Sequence, residues 1–575
     1  MPPAALIVDR PQRWDSAFDP EMSDGVVDRL LTVSPFKEMN TARFPKKLSL
    51  RDILRNDSRV RRFNAGEIIV REGDYGTSAF MIIGGSVRVV LAPGLPDVLL
   101  GRRPSRKRTL FQIISQLWAN SKNPEVRRGG AASADPRLGQ RGVEGSEVRV
   151  FLQDVPRVLG EQRTVSLAAG EVFGEIAALS RMPRTATVFA EKDGTELLEI
   201  RWQGLRDLMR YDESLRRHID KIYRERALET YLRGLPVFSH LNDAQLQEVM
   251  RQTEFATFGD YDWSGEYKKL AARGGSANEP VIVQEDDYPN GIVLVRAGFA
   301  RLSRKFGRGD RTLNYLGAGS HYGLAEIAHN WRNKDAAVPL QFTLRALGYA
   351  HVIIIPTSVM EQVVLPTISP SLLPPLVDPK DAAADEPSKA AEFDASAKLG
   401  PDLLEFFTQN RFFNGTAAML IDLDRCTRCD DCVRACATAH DNNPRFLRHG
   451  QTHGRVMVAN ACMHCADPVC MIGCPTGAIH RTAFGGQVVI NQATCIGCTI
   501  CANNCPYDAI RMVEIRDEDG AFMVDAEQKP ILKATKCDLC VQQYGGPACE
   551  RACPHDALIR ADMTEVKALS DWLRR

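Results

Sequence analysis

The chain has 575 residues, 44% hydrophobic and 25% charged, with 73 Lys and Arg against 72 Asp and Glu for a net charge of +1. That length suits about three or four domains with real cores, and the charge balance excludes a dedicated nucleic-acid binder or an acidic-tail protein. All sixteen cysteines lie between Cys426 and Cys553, which excludes a short secreted disulfide scaffold.

The first residues, MPPAALIVDRPQRWDSAFDPE, show no basic segment followed by an apolar one, so no secretory leader is expected. No apolar run approaches the ~20 residues that cross a bilayer. The chain is expected to be cytoplasmic, reaching the inner face of a membrane only through a partner. Residues 1–44 read as a loose N-terminal arm. From residue 45 the pattern is short strands: EIIVREGDYGTSAFMIIGGSVRVVL (67–91) alternates Val, Ile and Phe and breaks at Gly73-Asp74 and Gly84-Gly85. Residues 101–149 hold eleven Lys and Arg against four Asp and Glu. They read as a basic, mobile, solvated insertion, with a docking arm for an acidic partner as the alternative. Strands resume at 150, and residues 203–232 read as one helix, with Leu205, Leu208, Met209, Leu215, Ile219, Ile222 and Leu228 near helical spacing. A second strand-rich block spans 233–365. Six prolines between Pro366 and Pro387 mark 366–400 as a semi-rigid linker. The last unit, 401–575, opens on a short helix, DLLEFFTQNRFF, and closes on another over 563–575.

The cysteines form four tetrads. Cys426, Cys429, Cys432 and Cys436 are spaced C-x2-C-x2-C-x3-C, and Cys495, Cys498, Cys501 and Cys505 repeat that spacing. Cys462, Cys465, Cys470 and Cys474 follow C-x2-C-x4-C-x3-C, and Cys537, Cys540, Cys549 and Cys553 follow C-x2-C-x8-C-x3-C. A [4Fe–4S] cube needs four thiolates from different directions. A tight C-x2-C-x2-C loop supplies three, and the fourth, on the following helix, reaches the neighbouring cube. Zinc, the alternative, favours two separated C-x2-C pairs. Four [4Fe–4S] clusters are therefore expected. The segments LIDLDRCTRCDDCVRAC, ACMHCADPVCMIGCPTGAI, ATCIGCTICANNCPYDAI and ATKCDLCVQQYGGPACERACPHDAL resemble the four-cluster iron–sulfur subunits of molybdopterin oxidoreductases of the dimethyl sulfoxide reductase type. The resemblance implies four ligand sets: Cys426, Cys429, Cys432 with Cys553; Cys537, Cys540, Cys549 with Cys436; Cys462, Cys465, Cys470 with Cys505; and Cys495, Cys498, Cys501 with Cys474. Arg428 and Ala437 depart from the family's usual residues. His464 and His440 read as supporting or surface histidines, because four thiolates already saturate each cube.

FGEIAALSRMPRTATVFA (173–190) puts Gly-Glu at a helix start, whose N–H groups attract an anion. Arg184 can fork onto a phosphate, and Glu175 can accept from a ribose hydroxyl. With EGDYGTSAFMIIGGSVRV (72–89), this segment resembles the cyclic nucleotide-binding domain of the catabolite activator protein and of cyclic-nucleotide-dependent kinases. The resemblance implies a cassette of Gly174, Glu175, Ile176, Ala177, Arg184, Thr185 and Ala186, with 203–232 as a lid; Thr185 does not decide between cyclic AMP and cyclic GMP. The second block repeats the pattern: HYGLAEIA (321–328) parallels VFGEIAAL, and VPLQFTLRA (338–346) parallels MPRTATVFA. There Leu324 stands for Glu175 and Leu340 for Arg184. The second domain is expected to be a non-binding copy, left as a packing or homodimer surface.

The expected architecture is multidomain α+β: two β-barrel (jelly-roll) cyclic nucleotide-binding domains over 45–232 and 233–365 with lid helices, then a ferredoxin-like domain over 401–575. No flavin, nicotinamide or pterin fingerprint is present, and all-cysteine ligation leaves no open iron, so the chain reads as a non-catalytic electron-transfer subunit. The expected partners are a catalytic, molybdopterin-type oxidoreductase subunit, a quinone-linked membrane subunit and a regulatory cyclic nucleotide. The alternative is a cytosolic redox- or oxygen-sensing signalling protein. No helix-turn-helix follows the lid, which argues against transcription control.

Overall fold

The N-terminal arm is not loose. In the computed structural model, which describes residues 5–12, 14, 17–90, 95, 100, 110–127, 151–152, 155, 159, 162, 164–180, 183–259, 267–268, 279–306, 309–376, 401–483, 485–543, 545–563 and 566–574, Leu6–Ile7 pair in parallel with Met523–Val524. Arg10 meets Asp525 at 2.7 Å. Two short helices follow. Asp24–Leu31 is capped by Ser23, and Leu50–Asp57 starts on a Ser49/Asp52 capping box. Their apolar faces, with Val27, Leu30, Ile53 and Leu54 fully buried, order a segment whose helices are too short to show a convincing period in sequence.

The first β-region is two four-stranded sheets. One runs Ser58–Phe63, Thr195–Arg201, Ser78–Gly84, Val172–Phe173; the other runs Ile68–Val70, Thr187–Ala190, Ser86–Val90, Thr164–Ala168. Phe80, Ile82, Phe173 and Leu197 of the first sheet meet Val87, Leu167 and Val188 of the second in one core. The alternate residues Ala79, Met81, Leu198 and Ile200 face the helices instead. That is the period-two pattern of a sheet buried on both faces. The arrangement is jelly-roll-like; no closed barrel forms among the described residues. The expected single lid helix is two, Trp202–Tyr211 and Glu213–Arg233. Asp212 breaks it: its backbone is extended (φ −117°, ψ 109°) and its carboxylate accepts the Leu215 N–H at 2.7 Å. An aspartate offers a cap more readily than a helix interior, so the break is local chemistry overriding periodicity.

The second region is one six-stranded antiparallel sheet in place of the expected barrel. Glu254–Gly259, Thr343–Pro356, Gly291–Phe306 and Gly309–Leu316 lie in that order, Val281–Val283 pairs with Thr343–Pro356, and His321–Tyr322 pairs with Gly291–Phe306. Ile292, Leu294, Ile353 and Ile355 face helices, Leu228 and Leu232 of Glu213–Arg233 among them, while Val293, Val295 and Val352 face the other side. Gly298 (φ +80°) permits a bulge, since a Cβ there would lie 2.2 Å from the Tyr349 carbonyl oxygen.

In the cysteine-rich unit, Ala418–Asp422, just before Cys426, pairs with Leu558–Ala561, just after Cys553, inside a four-stranded sheet. That pairing draws the first and last tetrads together. The hairpin Ile479–Arg481/Val488–Ile490 joins the second to the third. Part of the 101–149 insertion is not solvated: Leu110–Ala119 is a helix docked on this unit, where Asn120 donates to the Thr438 carbonyl (2.9 Å) and the Glu125 N–H to Asn443 Oδ1 (2.7 Å). Residues 101–109 and 128–150, and 377–400 of the linker, lie outside the described residues. Among the described residues no helix is long and apolar enough to cross a membrane.

Candidate functional site

The two C-x2-C-x2-C loops turn alike. Arg428 (φ +61°) and Asp430 (φ +61°) in the first occupy the places of Gly497 (φ +68°) and Thr499 (φ +66°) in the third. Left-handed backbone is costly for arginine and better tolerated by aspartate, and Arg448 bonds Asp430 in this loop. Helices begin at Asp431 and Ile500; the first contains Cys436, and the second ends at Asn504, just before Cys505, the last cysteine of its tetrad.

None of the sixteen cysteines is joined in a disulfide. Cys426, Cys429, Cys432 and Cys553 line one cavity, and Cys474, Cys495, Cys498 and Cys501 line another. Burial pushes the Cys465 thiol up, and the nearby Cys462, Cys505 and Cys470 add to the rise. Burial lifts Cys549 to about 12, opposed by Arg560 and reinforced by Cys537, Cys436 and Cys540. Burial likewise raises Cys432 to about 11 and Cys501 to about 12. Such donor sets suit a group whose positive irons displace the protons. Backbone N–H groups already point at sulfur: Arg445 at Cys436 (3.3 Å), Leu539 at Cys537 (3.4 Å), Ala548 at Cys540 (3.5 Å) and Ala557 at Cys553 (3.3 Å). The residues therefore fit 4Fe–4S clusters.

The two histidines are buried supports rather than surface groups. His440 bonds the Cys436 carbonyl (2.8 Å) and Asp538 (2.9 Å). His464 accepts the Val488 N–H at 3.0 Å, and burial, with Lys536 and Arg560 nearby, holds its pKa well below the usual range. Sequence inspection missed two cations. Lys536 donates to Cys462 Sγ (3.1 Å) and to the Cys537 carbonyl (3.0 Å), and Arg560 donates to Cys537 Sγ (3.0 Å). Burial works against the charge on Lys536, but the sulfurs of Cys462, Cys470 and Cys537 more than offset it, and its pKa is raised. The only hint in sequence was a lysine directly before Cys537.

In the first β-region, Gly174 (φ +77°) precedes the helix Glu175–Ser180. Glu175 is 1% exposed, Arg184 is 6% exposed, Ala177 is buried, and Thr185 and Ala186 are half-buried. Ile176 lies within the helix. Arg184 donates to the carbonyls of Gly174 (2.6 Å) and Ser78 (2.7 Å), and Gly76 leaves it room, since a Cβ there would meet its Nη2 at 2.4 Å. A phosphate would have to take over these donors. The second region has a corresponding turn. Gly73 N–H to Arg184 carbonyl (2.7 Å) and Arg184 N–H to Asp74 carbonyl (2.8 Å) are matched by Asp286 to Leu340 (2.9 Å) and Leu340 to Asp287 (2.8 Å), and Gly323 (φ +93°) stands for Gly174.

The two units touch. Gln203, 4% exposed, donates to the Cys474 carbonyl (3.3 Å), and Arg201, held by Asp57, reaches the Thr476 carbonyl (3.3 Å). Tyr75 N–H donates to the Ala483 carbonyl (2.9 Å) and its ring lies under Arg481 (5.1 Å). Tyr75, Ala177, Trp202, Gln203 and Gly477 line a cavity along this seam.

Comparison with known proteins separates the same two units. The family model of a 4Fe-4S dicluster domain matches residues 454–563, and that of a cyclic nucleotide-binding domain matches residues 148–212. Electron transport protein HydN of Escherichia coli (strain K12) is 35% identical over 172 residues, covering 27% of this chain and 94% of HydN. One subunit of the anaerobic dimethyl sulfoxide reductase of Haemophilus influenzae is 34% identical over 167 residues, 25% of this chain and 74% of that subunit. The regulatory domain of Toxoplasma gondii PKA with cAMP aligns over 60% of this chain and 94% of that one at 15% identity and a TM-score of 0.20. The chain thus carries an electron-transfer 4Fe-4S domain and one cyclic nucleotide-binding domain.

Proposed function

Because the chain belongs to the family of 4Fe-4S electron-transport proteins that includes HydN, we propose that it is an electron conduit holding four [4Fe–4S] cubes, regulated by a cyclic nucleotide in its first β-region. Cys426, Cys429, Cys432 and Cys553 hold one cube; Cys474, Cys495, Cys498 and Cys501 a second; Cys462, Cys465, Cys470 and Cys505 a third; and Cys436, Cys537, Cys540 and Cys549 the fourth. The observation that carries the assignment is the lining of two separate cavities, each by three thiols of one tetrad and one of another. When bound, each cube supplies a site that takes up and releases one electron. The protein's part is to exclude water, aim N–H groups at sulfur, and leave Cys429 and Cys498 exposed, where a partner approaches. A catalytic oxidoreductase subunit at one end and a quinone-linked membrane subunit at the other are the partners proposed.

Gly174, Glu175, Ile176, Ala177, Arg184, Thr185 and Ala186 bind the nucleotide, Arg184 taking the cyclic phosphate and Glu175 the ribose. The second region is a degenerate duplicate that binds none. What supports regulation is the seam: helix Trp202–Tyr211 follows the nucleotide region and touches, through Gln203, a cysteine that ligates a cube. Coupling of this kind is typically ~1–3 kcal/mol and reciprocal, so a sensor whose redox state sets nucleotide affinity is the same device read in the other direction. Anaerobic iron and sulfide analysis should give about sixteen of each per chain. Calorimetry with cyclic AMP and cyclic GMP on oxidised and reduced protein should then show binding that differs between the two states. A colourless protein removes the conduit, and equal affinities remove the regulation.

A further inference from the structure

Two positive charges lie between two of the four thiol sets. Lys536 is 2% exposed and donates to Cys462 Sγ at 3.1 Å, to the Cys537 carbonyl at 3.0 Å and to the Val488 carbonyl. Arg560 donates to Cys537 Sγ at 3.0 Å and to the Cys462 carbonyl at 3.2 Å. Each cation therefore spans Cys462 of one set and Cys537 of another. Neither forms a carboxylate ion pair among the described residues. Leaving a cation buried without a counter-charge is costly, so the negative charge that balances them has to come from the sulfur sites themselves.

The other two sets are built differently. Lys533 donates to the backbone carbonyls of Cys495 and Gln492, not to sulfur. Arg448, beside Cys426 and Cys432, is taken up by Asp430. The sulfurs there meet backbone N–H groups, a hydroxyl and a carboxylate: among them the Ala557 N–H at Cys553 (3.3 Å), the Thr476 hydroxyl 3.9 Å from Cys474, and Asp431 beside Cys429. Hydrogen bonds to sulfur and local charge set the potential of a cube, and both act more strongly where water is excluded. Reduction adds one electron with no bond made or broken in the protein, so a fixed cation against the sulfur favours the reduced state.

We propose that Lys536 and Arg560 make the sets at Cys462 and Cys537 the high-potential pair, where electrons rest, while the sets with exposed Cys429 and Cys498 are the lower-potential points of entry and exit. This rests on the proposal that the thiols hold cubes, and iron analysis of the unaltered chain tests that separately. Redox titration of the full chain, followed by electron paramagnetic resonance, should resolve four one-electron steps. In Lys536→Met, two steps should fall, each by at least tenfold in its reduction equilibrium, about 59 mV for a one-electron couple, while the other two stay put. Lys536→Arg should restore most of the shift, and Arg560→Gln should lower the same two steps. Unchanged potentials in an iron-replete Lys536→Met, or an equal fall in all four, would overturn the inference. If Lys536→Met arrives without iron, Arg560→Gln decides by the same criterion. Loss of iron from both variants also overturns it, because the cations would then be scaffold rather than tuners.

Discussion

The two β-regions are built from different sheets but share one local turn, and they differ in what that turn presents. Residue 184 and residue 340 make the same pair of backbone hydrogen bonds to a preceding turn, and Gly174 and Gly323 turn the chain the same way before a short helix. On that common frame the first region offers Glu175 and a buried Arg184, and the second offers the buried leucines 324 and 340. The second also carries Glu326, buried, where the first has Ala177. A phosphate entering the second site would lose its cation and face a carboxylate, a double penalty in a place without water. The frame is therefore kept by packing, and the chemistry hangs on a few side chains that packing does not require.

The largest effect should come from Arg184→Leu, which gives the first region the second region's residue. Truncating a buried charge partner costs about 2–5 kcal/mol of binding, so cyclic nucleotide affinity should fall by roughly two to three orders of magnitude in calorimetry. Retention of wild-type affinity would show that the cassette is not where the nucleotide sits. Leu340→Ala probes the other side of the comparison. It should destabilise the chain by about 2–4 kcal/mol through the cavity left behind, visible as a lower thermal midpoint, with nucleotide affinity untouched. A change in affinity would mean that the second region takes part in binding after all.

Much of this was legible in sequence because chemistry constrains spacing. Sixteen thiols in four tight tetrads leave few alternatives, and the Gly-Glu and Arg-Thr-Ala segments point to a candidate nucleotide site before any fold is known. What could not be read depended on partners far away in the chain. Leu6–Ile7 is a strand only because Met523–Val524 offers an edge. Leu110–Ala119 loses its independence to the Thr438 and Ala439 carbonyls, more than 300 residues on. Lys536 looks like any surface lysine until Cys462, 74 residues earlier, is folded against it. The break at Asp212 is a different case: one local cap interrupts a run of apolar residues at helical spacing on both sides.

Glu326→Gln sharpens the contrast at smaller scale. Burial raises the Glu326 pKa above the ordinary carboxyl value, only partly opposed by backbone N–H groups, the Gln341 N–H at 3.4 Å among them. A group raised in this way favours the folded state fully below its unfolded pKa near 4.3 and loses that contribution as pH rises through the folded pKa. Glutamine keeps an oxygen for Gln341 and never ionises. The variant should therefore melt higher than the parent at pH 7, by less than the Leu340→Ala change, and the difference should vanish near pH 4. Equal midpoints at both pH values would mean that the carboxylate finds solvent.

The smallest effect belongs to the seam, and it asks whether the first region differs from the second in consequence as well as in chemistry. Gln203 is a neutral side chain making one side-chain hydrogen bond to the Cys474 carbonyl, and Gly477 (φ +69°) brings the loop close enough that a Cβ there would lie 3.1 Å from its amide. Losing such a bond costs about 0.5–1.5 kcal/mol, so Gln203→Ala should fold, load iron and bind nucleotide much as the parent does. What it should lose is the message. Arg201 still ties strand Thr195–Arg201 to the Thr476 carbonyl, so the two units stay docked, but the helix that starts at Trp202 no longer holds Cys474. If nucleotide shifts the potential of the Cys474 set in the parent, that shift should shrink by half or more in Gln203→Ala while the other three sets keep their values. A shift of undiminished size would place the coupling elsewhere, with Tyr75 and Arg481 the next contact to cut.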